Sequence, residues 1–197
     1  MLSINRIKKQ FKEANEIEWF INKINNKQKP SLVFENAEKL IPNKTHLVFQ
    51  KEGIIINEPK EWEALYTYWA WPCSIIIIKD KDTWKIGLAH ISWGTSKISI
   101  TSFISYFSNP DITLVSWDLR ISRTIIEAIW KELRNNISYF NKNESWDKIQ
   151  YSMWIKMENW DLKILYWYNN QIKDSEQNEE LRDLMMFKSK NLSIKIK

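Results

Sequence analysis

The stretch SIIIIKDKDTWKIGLAHI, residues 74 to 91, constrains the fold more than any other. Four consecutive β-branched isoleucines favour extended backbone. After a charged KDKDT break the chain resumes as an alternating apolar segment, the pattern of two antiparallel strands and their turn. Side chains alternate across a strand, so one face of this hairpin carries Ile75, Ile77, Ile86 and Leu88, and the other Ile76, Ile78, Ala89 and Ile91. Both faces are apolar. The hairpin is therefore expected at the centre of a sheet, with material packed on either side.

The flanking sequence supplies candidates for that cover. Ile4, Ile7, Phe11, Ile17, Phe20, Ile21 and Ile24 recur at helical spacing before Pro30, and a shorter helix is expected near 35–40. THLVFQKEGIIINEP reads as a hairpin turning at Lys51-Glu52-Gly53, while KEWEALYTYWAW fits a strand or a helical turn. SITSFISYFSNP predicts a short helix, DITLVSWDL a strand, and SRTIIEAIWKELRNN a helix with Ser122 as N-cap. ISYF is a further apolar run, IQYSMWIKM and LKILYWY form a closing hairpin, and SEQNEELRDLMMFKSK a C-terminal helix. The expected class is α/β in the α+β sense: a mostly antiparallel central sheet or sandwich with flanking helices. The expected organisation is an N-terminal helical extension over 1–45, a central domain over 46–172, and a C-terminal helix and tail over 173–197.

With three glycines in 197 residues, Gly-rich phosphate loops are excluded. One cysteine permits no internal disulfide, and no Cys/His cluster has zinc-ligand spacing, so neither metal nor organic cofactor is expected. The net charge of +5 comes from lysines spread along the chain, which reads as a solvated surface rather than a nucleic-acid footprint. The start has no apolar signal-peptide core and no run approaches a membrane span, so the expected location is the cytoplasm, or that of an effector exported without a cleaved signal.

The hairpin brings the lone Cys73 together with His90. If its turn is centred between Lys81 and Asp82, these two residues oppose each other on one face with Cβ atoms roughly 4.5–5.5 Å apart. An adjacent imidazolium lowers a thiol pKa from about 8.5 and makes the thiolate available as a nucleophile. The alternative is a buried cysteine beside a hydrogen-bonded core histidine, and register alone leaves both open.

The stretch resembles the CheD-type glutamine deamidases, whose catalytic fold is shared by the cytotoxic necrotizing factor toxins and the Burkholderia lethal factor. In that family a cysteine at the head of a strand is followed about seventeen residues on by a histidine. Here Cys73 is followed by Lys85-Ile86-Gly87-Leu88-Ala89-His90 at a separation of seventeen, and Thr67 stands six residues before the cysteine, where the family has its third catalytic residue. The resemblance covers roughly 46 to 170. It implies a CheD-like fold and hydrolytic deamidation of a glutamine side chain in a partner protein, by Cys73, His90 and Thr67 through a thioester. The chain departs from the family at Trp71-Pro72-Cys73, in place of a small Ser/Gly-Cys turn, and in the glycine-free DITLVSWDL.

Trp93 and Gly94 follow His90 closely and are candidates for a substrate-binding wall, since glycine lets a backbone approach a ligand. Asp80 and Asp82 are expected to be solvated turn residues, His46 is assigned no role, and Ser92 and Ser96 rank low as nucleophiles. The tryptophans at 117, 130, 146, 154, 160 and 167 leave open a non-catalytic module that binds protein or nucleic acid. A cysteine protease or a transglutaminase is the remaining enzymatic alternative.

Overall fold

The computed structural model describes residues 45–60, 63–67, 73–116, 123–129, 137–141, 151–158, 161–168 and 192–196. The expected N-terminal helices, Ser122 and the expected C-terminal helix lie outside the described residues. Among the described residues ten strands run in chain order: β1 Thr45–Leu47, β2 Glu52–Ile56, β3 Ala64–Thr67, β4 Ser74–Asp80, β5 Ile86–Ile91, β6 Pro110–Ser116, β7 Ile137–Asn141, β8 Tyr151–Glu158, β9 Asp161–Tyr168 and β10 Leu192–Lys195. Helix α1, Lys97–Ile104, links β5 to β6, and residues 123–129 are helical.

The strands form two sheets. One has six strands in the order β10-β2-β5-β4-β6-β7 and the other four in the order β1-β3-β8-β9. Among the described strands only β6–β7 and β1–β3 are parallel pairs, which makes this a mixed α/β structure with largely antiparallel sheets. As both apolar faces require, β4 and β5 occupy the middle of the larger sheet. Ile75, Ile77, Ile86 and Leu88 pack with Leu65, Met153 and Ile155 of the second sheet. Ile76, Ile78, Ala89 and Ile91 pack instead with Ile100, Phe103 and Ile104 of α1 and with Ile125, Ile126 and Ile129 of the helical segment 123–129. The layers are therefore sheet, sheet and helices, each interface closed by aliphatic side chains removed from water.

The hairpin register differs from the expectation by two residues. Ile75, rather than Cys73, lies directly opposite His90, and Ser74 lies opposite Ile91. The cause is Asp80, which is buried and not a solvated turn residue. Its carboxylate accepts the backbone N–H groups of Asp82, Thr83 and Ser108, and its own N–H donates to the Lys85 carbonyl at 2.9 Å. Strand β4 is thereby prolonged to Asp80 and the turn moves to Lys81–Trp84. Burial raises the Asp80 carboxyl pKa, but the converging backbone N–H donors outweigh it and hold it below its ordinary value. A shift of two residues, unlike a shift of one, leaves every side chain on its expected face.

THLVFQKEGIIINEP contains two strands, as expected, but they are not partners. β1 pairs with β3 and β2 with β5 and β10, so this segment carries the chain from one sheet to the other. Its corner is the turn from Phe49 to Glu52, with Lys51 at φ 61° and the Glu52 N–H donating to the Phe49 carbonyl at 3.1 Å. The ambiguous KEWEALYTYWAW yields strand β3, and the expected closing hairpin is β8–β9. Near the C-terminus, where a tail was expected, Leu192–Lys195 completes the six-stranded sheet against β2, and Ile196 is buried in the helix-side core.

Candidate active site

Strands β2 and β4 begin, and β5 ends, at the same end of the six-stranded sheet, because β5 is antiparallel to both neighbours. Cys73 immediately precedes β4, so it stands two residues from Ile75 and on the same face. In the ladder it is a diagonal neighbour of His90, at a spacing of roughly 7–8 Å between Cα atoms. Ile75 and Leu88, the strand neighbours of this pair, pack against the second sheet, where β3 ends at Thr67. Thr67 Oγ1 lies 2.8 Å from His90 Nδ1. The threonine belongs to one sheet and the histidine to the other, so this hydrogen bond joins the two layers at the site.

All three residues are buried: Thr67 is 0% exposed, Cys73 2% and His90 2%. Thr67 fixes one ring nitrogen of His90, and the other, Nε2, is buried with no hydrogen-bond partner among the described residues. A buried polar atom left in that state costs of order 1–3 kcal/mol. Such a cost is accepted most readily where the atom has work to do with a ligand or a proton.

Burial depresses the His90 pKa from 6.5 to about 4. It also raises the Cys73 thiol above its ordinary value, opposed by a hydrogen bond from Gln50. The expected thiolate–imidazolium pair is thus replaced by a neutral thiol and a neutral imidazole at rest. Charge separation is disfavoured in this low-dielectric pocket unless a bond forms at the same moment.

Two further groups reach the site, and the sequence reading missed both. Gln50 is exposed, and its Nε2 donates to Cys73 Sγ at 3.4 Å. Glu52 is buried and directly opposes His90 across the β2–β5 ladder, and its carboxylate accepts the Phe49 N–H at 3.1 Å. Neither was visible while β1 and β2 were read as a hairpin, since only the β2–β5 pairing carries 50–52 to the thiol.

The remaining candidates fall elsewhere. Trp93 is half-exposed, and Gly94, at φ 80°, adopts the left-handed conformation that favours glycine. Both line a small pocket with Ile91, Thr124 and Ile125. Ile91 and Ile125 belong to the helix-side core, so this pocket opens on the side of the sheet opposite to the one Cys73 and His90 face. His46 is buried in β1, with Nε2 2.7 Å from Glu63 Oε1. Ser96 caps α1, its hydroxyl accepting the Ser99 N–H at 3.1 Å. The side chains of the six tryptophans of the second half lie outside the described residues. Among the described residues no group of three or more His, Cys, Asp and Glu side chains could hold a metal ion, and no helix is long and apolar enough to cross a membrane. No protein-family model and no curated protein matches this sequence.

Proposed function

We propose that the chain is a protein-glutamine deamidase of the CheD-like fold, acting on a glutamine side chain of a partner protein. The observation that carries this reading is the hydrogen bond of Thr67 to His90 Nδ1, made from the opposite sheet, with Cys73 on the same face. It orients the ring as a nucleophile–base–orienter arrangement requires. With Nδ1 protonated and donating to Thr67 Oγ1, the Nε2 lone pair is open to accept a proton.

In the reaction the Cys73 sulfur attacks the carboxamide carbon while its proton passes to His90 Nε2. The tetrahedral adduct collapses as the carbon–nitrogen bond breaks, and His90 returns the proton to the departing ammonia. Water then attacks the thioester, the carbon–sulfur bond breaks, and glutamate and the Cys73 thiol result. The neutral resting pair suits this concerted proton movement, because no charge need be stored in the buried site before substrate arrives. An amine in place of water gives transglutamination with the same groups. The proposal uses no metal or organic cofactor.

A second reading, a tryptophan-rich binding module, draws on the exposure of Trp84 and Trp93 and on the raised thiol pKa. Incubating wild-type and Cys73→Ser protein with cell lysates and mapping glutamine-to-glutamate conversion by mass spectrometry separates the two. The deamidase reading expects defined sites converted only by the wild type. Identical maps favour the module.

A further inference from the structure

Attack on a carboxamide places negative charge on its oxygen, and a thiol site needs a donor aimed at that point. The chain has Pro72 immediately before the nucleophile, a residue with no backbone N–H to offer. The described donor closest in kind is a side chain. Gln50, an exposed residue, has its Nε2 3.4 Å from the Sγ of the buried Cys73.

The placement of Gln50 is over-determined. The Lys51 N–H donates to the carbonyl of His90 itself at 2.9 Å, and the Lys51 carbonyl accepts the Ile196 N–H at 2.8 Å. The Glu52 carboxylate closes the same turn through the Phe49 N–H. Lys51 holds a positive φ, which costs a non-glycine residue roughly 1–2 kcal/mol. An amide bonding to sulfur gains little, since sulfur is a weak acceptor, and an exposed glutamine can bond to water instead. A strained turn tied to both the histidine strand and the C-terminal strand thus holds a strong donor against a weak acceptor, the arrangement expected where a better acceptor is to appear.

We infer that the Gln50 side-chain amide is the oxyanion donor of this site, binding the substrate oxygen as it becomes negative during attack by Cys73. The inference rests on the deamidase reading and makes Gln50 a catalytic residue, with Glu52 and Lys51 positioning it. A donor within hydrogen-bond reach of the sulfur is also within reach of an oxygen on the carbon that sulfur attacks. Gln50 therefore needs only a small rotation to move from thiol to oxyanion.

The test compares two reagents on the full chain, with labelling of Cys73 followed by peptide mapping and Cys73→Ser as the blank. p-Nitrophenyl acetate acylates the sulfur through a tetrahedral oxyanion: the carbon–sulfur bond forms, the ester carbon–oxygen bond breaks, and p-nitrophenolate leaves. Iodoacetamide alkylates the same sulfur by displacement of iodide at a saturated carbon, with no oxyanion. A change in thiolate fraction alters both rates alike and cancels in their ratio. Gln50→Ala and Gln50→Glu are expected to lower the acylation-to-alkylation ratio by about 100-fold, the loss typical of one oxyanion donor. Because Gln50 is exposed, the urea midpoint is expected to stay unchanged.

An unchanged ratio overturns the donor role while leaving the deamidase reading intact. Conversion of Gln50 itself to glutamate in the wild type but not in Cys73→Ser also overturns it, by making Gln50 a substrate. Wild-type Cys73 acylated no faster than the thiol of the urea-unfolded chain sinks the deamidase reading, and the role of Gln50 falls with it.

Discussion

His90 is the proton acceptor of the proposed reaction, and its burial has a consequence for stability that is independent of any substrate. Its pKa is 6.5 unfolded and about 4 folded, so between these values the unfolded chain binds the extra proton. The neutral histidine therefore contributes its full stability above pH 6.5, and that contribution is lost as pH falls through 4. The depression corresponds to about 3 kcal/mol across the window. Urea unfolding of wild-type and His90→Gln protein at pH 7.5 and pH 4 checks this, with the wild type expected to lose more by that margin. Equal losses would mean that His90 titrates normally. Thr67→Val removes the hydroxyl at nearly constant volume and leaves Nδ1 buried without a partner, a cost of about 1–3 kcal/mol. Thr67→Ser is expected to retain Cys73 acylation by p-nitrophenyl acetate, whereas Thr67→Val slows it by about tenfold, taking as a guide the loss of a partner that orients a metal-bound histidine. At this scale the hairpin pattern drew attention to Cys73 and His90 without fixing their register, and Thr67 entered only through the family resemblance. Their protonation was not legible, because depth of burial depends on the second sheet, which sits far away in sequence.

At the scale of elements, apolar alternation located β4, β5, β6, β8 and β9, because each strand must match its faces to a core. Pairing was less legible, since it depends on turns whose chemistry lies in single side chains. Asp80 moves one turn by collecting backbone N–H groups, and the Phe49–Glu52 turn sends β2 into a different sheet from β1. Gly53 follows that turn, and a Cβ there would lie 2.5 Å from Phe103 Cε2 and 3.0 Å from Ile196 Cδ1. Only glycine lets β2, α1 and the C-terminal residues approach so closely. Gly53→Ala is accordingly expected to destabilise the fold by about 1–3 kcal/mol, as overpacking does. Gly53→Ala combined with Phe103→Leu should recover part of that loss in urea titrations. No recovery would show that the strain arises from the backbone and not from contact with the ring.

On the scale of the whole molecule, the candidate site draws on four separate stretches around Gln50, Thr67, Cys73 and His90, and a fifth, near the C-terminus, bonds to the turn beside Gln50. Strand β10 pairs with β2 and places the Ile196 N–H on the Lys51 carbonyl, so the C-terminal residues brace the turn that carries Gln50. Sequence reading treated 173–197 as a helix and tail because the four-residue LSIK is too short to signal a strand without its partner. Ile196 is 0% exposed, and Ile196→Ala is expected to cost about 2–5 kcal/mol in urea unfolding. A loss below 1 kcal/mol would place the C-terminal residues outside the cooperative unit. The central claim is that these stretches together form one thiol site for hydrolysing a glutamine amide. Lysate proteins treated in heavy-oxygen water with wild-type or Cys73→Ser protein test it most directly, read by mass spectrometry of glutamine-containing peptides. The account predicts new glutamate side chains, each carrying one heavy oxygen, in the wild-type sample alone. Heavy oxygen at newly cut peptide termini, or in both samples alike, would contradict it.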